Sequence, residues 1–214
     1  DLTGRGVILA VADTGIDYQN PLFQNADGTS RILSLWDQTI PGNPPEGFSY
    51  GTEFTQNELT ETLTGLPLSR DEIGHGTMMA ALAAGNIDTE NDFTGAGYLS
   101  DLIIVKLKEA KDYLREFYSI PPSVPCYAEQ DIILAVSYLL SQAKVLGKPV
   151  VLCLGTGTNM GGHDGTLPLC TYLNYNGTSS GVGIVTSAGN ETNRRHHYRS
   201  SSIAPGRYED LEIN

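Results

Sequence analysis

The stretch VILAVADTGID, residues 7 to 17, runs apolar from Val7 to Ala12 without a polar break and then turns abruptly at Asp13-Thr14-Gly15. A short run of this kind, continuous rather than alternating, is how a strand buried on both faces of a parallel sheet reads. Three further runs share the character: LIIVKL at 102 to 107, VVLCL at 150 to 154 and VGIVTS at 182 to 187. Between them, AEQDIILAVSYLLSQAKVLGKP places Ile132, Ile133, Val136, Leu139, Leu140, Ala143 and Leu146 at helical steps, with Gly147 and Pro149 as a stop signal. Strand, helix and strand in this order form the crossover unit of an α/β fold with a mostly parallel central sheet. Residues 37 to 70 are polar and rich in Pro and Gly, and read as a surface excursion with one short helix near 56 to 64.

The chain has 214 residues, enough for one domain or most of one, and 40% hydrophobic against 18% charged residues makes it globular by composition. A formal charge of −12 and a pI near 4.6 repel phosphate backbones and anionic lipid, so neither nucleic acid nor a membrane surface is an expected partner. No apolar run approaches the ~20 residues of a bilayer span. The start DLTGRG carries neither an initiator Met nor a signal-type apolar region, and reads as part of a longer protein. Cys126, Cys153 and Cys170 are odd in number and lack Cys-x-x-Cys spacing, which indicates neither a disulfide framework nor a zinc site. Cys153, inside VVLCL, reads as a small buried hydrophobe rather than a reactive thiol.

In open parallel sheets, chemistry collects at the carboxyl ends of the strands. The residues just past each run therefore matter: Asp13-Thr14-Gly15, Gly155-Thr156-Gly157, and Ala188-Gly189-Asn190. A histidine, His75, opens HGTMMAALAAG, a helical pattern with Gly85 at its end. At a helix N-terminus the dipole disfavours the imidazolium, which suits a general base, while a carboxylate stabilises the charged form once it is made. Asp13 is the natural partner, fixing the tautomer of His75; Asp17 reads as a turn residue making local hydrogen bonds. Gly189 permits an unusual backbone from which Asn190 can donate to a developing oxyanion, although an Asn after a glycine is more often an ordinary turn. No one of the three identifies a site alone; together, in this order and at one edge, they weigh much more.

VILAVADTGID, DEIGHGTMMAALAAG and IVTSAGNET resemble the aspartate, histidine and oxyanion-asparagine blocks of subtilisin-like serine peptidases, in the chain order of subtilisin. RILSLWDQTIPG, DLIIVKLKEAKDYLREFY and TNMGGHDGT are similar to the clostridial branch containing the Csp germination proteases, which act on spore cortex-lytic enzyme precursors. The resemblance implies the three-layer subtilisin fold, incomplete at the C-terminus, and an extracytoplasmic or spore-associated setting. It implies catalytic roles for Asp13, His75 and Asn190, with Gly189 and Cys153-Leu154-Gly155 lining the place where an extended peptide or protein substrate binds. The protein's own propeptide and the remaining C-terminal part of the catalytic domain are the other implied partners. No cofactor is required; Ca²⁺ is frequent in such proteins, but DTENDF at 88 to 93 lacks EF-hand spacing and reads as a solvated loop. Two departures stand out: Met78 replaces a second histidine often seen in the family, and GTGTN adds residues beside the pocket for the substrate side chain before the scissile bond.

The family's serine lies downstream of the asparagine in a Gly-Thr-Ser-x-Ala-x-Pro block, which is missing from this chain. Gly177-Thr178-Ser179 precedes Asn190 and lacks the Ala and Pro; Ser202-Ile203-Ala204-Pro205 lacks the leading glycine and runs into an acidic end. The expectation is that residues 1 to 206 are the N-terminal part of the catalytic domain. Residues 207 to 214 would begin the β-rich jelly-roll insertion that separates asparagine from serine in that branch. Two other functions are open. One is a noncatalytic pseudoprotease regulating germination, which intact Asp13 and His75 argue against. The other is a nucleotide- or sugar-phosphate-binding module suggested by GTGTNMGGHDG, which has neither a dinucleotide fingerprint nor a P-loop. Arg194-Arg195-His196-His197 reads as surface rather than as a metal or phosphate site, and His163 as a loop-fixing residue.

Overall fold

The computed structural model describes residues 2–190, 198, 200 and 203–210. Six strands form one sheet: β1 (Ile8–Asp13), β2 (Ile32–Asp37), β3 (Thr52–Thr55), β4 (Asp101–Lys106), β5 (Val150–Leu154) and β6 (Val182–Thr186), in the order β3-β2-β4-β1-β5-β6. Every pairing is parallel except that of β2 with the edge strand β3. β1 lies between β4 and β5, as its unbroken apolar sequence requires, and Asp13, Lys106 and Asp37 stand side by side where β1, β4 and β2 end.

Alternation along β1 divides the core in two. Ile8, Ala10 and Ala12 point into one cluster with Ile132, Val136 and Leu139 of α4 (Glu129–Leu146), joined by Leu169 and Tyr172 of α5 (Pro168–Gly177). Val11 points the other way, into a cluster with Ala80 and Ala84 of α2 (His75–Ala84) and Leu59 of α1 (Gln56–Glu61). Helices thus cover both faces of a mostly parallel sheet, the three-layer α/β architecture expected. Local signals agree with the ends of these helices. Gly147 closes α4 in the left-handed region at φ 65°, and Thr55 with Glu58 forms a capping box on α1.

The second face is covered only in part among the described residues. α2 is apolar all round, and while Ala80 and Ala84 are buried, Met78 and Leu82 are about half exposed. On the same face beyond β1, Cys153 is half-buried and its partner Val185 on β6 is 57% exposed, while α4 and α5 occupy the opposite face. A helix hydrophobic on all sides is ordinarily enclosed on all sides.

The excursion of residues 37 to 70 is less superficial than its composition suggests. Its first residue ends β2, it contains β3, and Phe48 and Tyr50 pack on the buried Trp36 with ring centroids 4.7 and 5.3 Å away. Trp36 Nε1–H donates to the Tyr50 carbonyl at 3.1 Å. Tyr50 Oη–H in turn donates to Asp131 of α4 at 2.8 Å, and the Lys108 ammonium, 2.8 Å from the same carboxylate, lies over the Tyr50 ring. Most of the segment's polar residues, Asn43, Glu46, Ser49, Asn57 and Glu61 among them, do face solvent, but this cluster ties it to β2 and α4. β2 escapes the sequence pattern because Ser34 and Asp37 interrupt ILSLWD, and β3 because it has only four residues. α3 (Asp112–Phe117) and α5 also go unpredicted: α3 is six residues long, and α5 buries no residue fully.

Candidate active site

Asp13 is the last residue of β1 and is 1% exposed. Its Oδ1 accepts from the Thr14 N–H at 2.7 Å and lies 2.7 Å from Nδ1 of His75. A carboxylate only accepts, so Nδ1 carries the proton and Nε2 keeps its lone pair. The His75 side chain is 40% exposed, so the imidazole stands between a buried carboxylate and open space. Asp13 Oδ2 is buried with no hydrogen-bond partner among the described residues and lies against Gly155. A Cβ at Gly155 would overlap that oxygen and sit 3.1 Å from His75 Cε1, so the glycine leaves the space the pair occupies.

His75 reaches Asp13 because the first turn of α2 docks directly on the turn that leaves β1. A Cβ at Gly76 would overlap the Gly15 carbonyl oxygen and come within 3.0 Å of Asp13 Cβ, an approach open only to glycine. Thr14 clamps the contact: its Oγ1 accepts from the Gly76 N–H at 2.9 Å and donates to Asp71 Oδ1 at 2.8 Å. Asp71 then supplies the helix cap that Gly74 cannot. Its carboxylate accepts from the N–H groups of Gly74 at 2.8 Å and Thr77 at 2.9 Å, and from Thr77 Oγ1 at 2.7 Å. Burial alone would raise the Asp71 pKa, but the donors from Thr77, Gly74 and Thr14 outweigh it and hold the carboxyl below its ordinary value. Asp71 is the positioning residue that sequence reading passes over; an acidic residue just ahead of a helix start, with Thr at its third position, is the signal that marks it. Asp17 takes part through its backbone, donating its N–H to Thr77 Oγ1 at 2.9 Å and accepting from the Asn20 N–H.

The remaining expected residues lie along the same sheet edge. Cys153 and Leu154 end β5; Leu154 turns into the core shared with α4, and Cys153 faces the side of Val11. Burial first, and the nearby Asp13 charge second, push the Cys153 thiol up, so it is a poor nucleophile. Beyond the strands, the Ser187 N–H donates to the Leu154 carbonyl at 3.3 Å, which keeps the turns after β5 and β6 together. Gly189 has φ 83°, the left-handed backbone expected of it, and Asn190 comes next, exposed, two strands over from Asp13.

Gly177-Thr178-Ser179 ends α5 and turns into β6. It therefore lies at the amino end of that strand, the sheet edge opposite Asp13, about 17 Å away at ~3.3 Å per residue. Ser202 and Arg194-Arg195-His196-His197 lie outside the described residues. The His163 ring is tied to the Asn159 carbonyl at 3.0 Å, as a loop-fixing residue should be. Asp88 of DTENDF spends its carboxylate on the N–H groups of Glu90 and Asn91 and on the Asn91 amide; among the described residues no three His, Cys, Asp or Glu side chains gather as a metal site would require. The glycine-rich run after β5 stays irregular until α5 begins at Pro168, so it does not open a phosphate-binding helix.

The profile of the subtilase family, Peptidase_S8, matches residues 4–210. The chain belongs to the subtilase family. Among solved structures, the CspB protease of Clostridium perfringens superposes with a TM-score of 0.74 at 28% identity, over 91% of this chain and 39% of that one. Sphericase and a psychrophilic protease, S41, share the fold, each at 22% identity over 87% of this chain and 47% of theirs, with TM-scores of 0.55 and 0.54. The subtilisin-like protease SBT1.9 of Arabidopsis thaliana is 34% identical over 94 residues, 39% of this chain and 13% of that protein. The subtilase chain described here thus spans less than half the length of each of these relatives.

Two substitutions test how the pair is positioned. Gly76→Ala should destabilise the fold by roughly 2 kcal/mol or more, since the added methyl has no room, and lower the melting temperature accordingly. Asp71→Ala should cost about 1–2 kcal/mol by removing the cap of α2. Because the Asp71 pKa is depressed in the folded state, its contribution is present above the unfolded value near ~4 and is lost as pH falls through the lower folded value. An acid titration of thermal stability should therefore fall less steeply below about pH 4 in Asp71→Asn than in the parent.

Proposed function

We propose that the chain supplies the general-base half of an Asp-His-Ser serine endopeptidase, with the nucleophile on a part of the subtilase domain beyond residues 1–214. The observation that carries this reading is the Asp13–His75 pair, a buried carboxylate 2.7 Å from Nδ1 of a half-open imidazole at the carboxyl edge of a parallel sheet. In the reaction, Nε2 of His75 takes the proton of the serine hydroxyl as Oγ attacks the scissile carbonyl, and returns it to the leaving amine. Asp13 fixes the Nδ1–H tautomer and stabilises the imidazolium between those two transfers. Asn190, released from strand geometry by Gly189, donates to the oxyanion, and an extended peptide pairs with the end of β5 at Cys153-Leu154-Gly155.

The uncovered apolar surface supports the location of the missing half. Met78 and Leu82, one and two turns on from His75 in α2, and Val185 on β6 are exposed, and a helix carrying that serine would bury them. On this reading residues 1–206 are the N-terminal part of the catalytic domain, and the exposed Arg207–Asp210 lead into an inserted β-rich segment, whose residues 211 to 214 lie outside the described residues.

The isolated 214-residue chain should not react with a fluorophosphonate probe. In the full-length protein, His75→Ala should lower peptide turnover by about 10⁴-fold or more while leaving the melting temperature nearly unchanged. Labelling of the isolated chain at a serine, or retained propeptide self-cleavage in the His75 variant, would overturn the assignment.

A further inference from the structure

β4 ends in a buried lysine. Lys106 stands one strand over from Asp13 and one from Asp37, in register with both, at the roughly 4.8 Å spacing of neighbouring strands. Residues two apart on a strand share a face, so all three follow Val11, Ile104 and Leu35 onto the α2 side of the sheet. The row alternates acid, base, acid, yet the lysine answers neither carboxylate. Among the described residues, Asp37 accepts from the Thr39 N–H, Thr39 Oγ1 and Ser69 Oγ, and Asp13 from the Thr14 N–H and His75. The Lys106 stem passes beside the turn after Asp13, where a Cβ at Gly15 would come within 3.2 Å of its Cδ. Its ammonium donates to the Arg70 carbonyl at 2.6 Å and to Glu72 Oε2 at 2.7 Å. Those two residues flank Asp71, the cap of the helix that carries His75.

The two ends of the Lys106–Glu72 pair are unequal. The lysine side chain is 9% exposed and the glutamate 67%. The hydrogen bond from Lys106 holds the Glu72 carboxyl below its ordinary value, so it is ionised at neutral pH. Its charge lies in water, which screens it, whereas the ammonium acts through protein, where a charge is felt several times more strongly. Seen from His75 the pair is therefore not neutral: the buried end prevails. Other groups in the neighbourhood do not supply such a cation. Arg70 is exposed, Lys108 is paired with Asp131, and Arg115 with Glu109. Asp17 and Asp71 are acids, and the Cys153 thiol and the Tyr127 phenol, both pushed up chiefly by burial, are neutral.

We infer that Lys106 positions the general base in two ways: it clamps the residues on either side of Asp71, and its buried charge opposes the pull of Asp13 on the imidazolium, so that Nε2 of His75 keeps its lone pair at rest. The inference rests on the peptidase reading above and adds to it a residue that touches neither substrate nor the reacting atoms. Asp13 has to stabilise the imidazolium during the reaction, but a carboxylate 2.7 Å from a ring also favours the charged form before the reaction begins. A cation at longer range weakens that early hold while leaving in place the hydrogen bond that fixes the tautomer.

The test is the pH profile of kcat/KM on a fluorogenic peptide, measured with the full-length protein, together with an NMR titration of the His75 ring, whose resonance the His75→Ala spectrum identifies. Lys106→Gln drops the charge but keeps a donor for the Arg70 carbonyl. It should move the acid limb of the profile and the ring titration upward together, by about half a pH unit or more. Lys106→Gln with Glu72→Gln should still move both upward, because the pair does not cancel. Glu72→Gln alone should move them downward by less than about a quarter of a pH unit, and by nothing measurable at high salt. A role confined to packing would lower kcat or the melting temperature and leave both midpoints in place. That outcome for Lys106→Gln, or a double variant whose midpoints equal the parent's, overturns the inference and leaves the peptidase reading intact. Should the Lys106 variants fail to fold, Glu72→Gln, altered at an exposed side chain, decides: the small downward movement upholds the inference, and a larger one means that both ends of the pair weigh alike and overturns it. Should the parent cleave no peptide, the peptidase reading fails instead, and the ring titration in the same variants settles the charge effect of Lys106.

Discussion

The structure turns on how closely one helix is allowed to approach one turn. α2 meets the exit of β1 with Gly76 over the Gly15 carbonyl, and that contact brings a histidine and an aspartate, 62 residues apart in sequence, to 2.7 Å. Had a side chain stood at 76, the helix would ride higher and the imidazole would lose the carboxylate. Thr14 and Asp71 make the approach specific as well as close, since they bond each other and each accepts an N–H from the first turn of the helix. Such a chain of neutral donors around a half-buried carboxylate avoids the larger desolvation cost of a buried ion pair.

The sheet supplies the rest of the geometry. β1 is central because nothing polar interrupts it before Asp13, and its register with β4 and β2 lines up Asp13, Lys106 and Asp37 at one level. Lys106 then ties the loop before α2 to β4 through Arg70 and Glu72, while Ser69 donates to Asp37 at 2.6 Å. The residues leading into His75 are therefore held by the ends of three neighbouring strands. Orientation of the His75 ring is fixed before any ligand arrives, which is how preorganised sites limit the reorganisation that a reaction would otherwise demand.

Much of this was legible in the sequence where the signal was local. The four apolar runs are strands within a residue of their expected bounds, α2 starts at the expected histidine, and α4 ends where Gly147 and Pro149 direct. The runs that went unread are those whose burial depends on partners far along the chain. β2 holds Ser34 and Asp37, and Asp37 is buried without a large penalty only because Thr39 and Ser69 bond its oxygens. Phe48 and Tyr50 sit in a glycine- and proline-rich segment, and nothing nearby announces that Trp36 waits for them. Asp71 shows the same limit within the site, because its partners Thr14 and Thr77 come from two different elements.

The unequal covering of the two faces bears on how such a protein comes off the ribosome. The side packed by α4 draws its core from residues between Ile8 and Ile184, whereas the α2 side leaves Met78, Leu82 and Val185 exposed. A nascent chain in that condition holds a well-knit layer beside an oily one, and the strand edge at β6 offers backbone groups to any neighbour. Whatever covers apolar surface in the finished protein has its place there, on a half-dressed sheet.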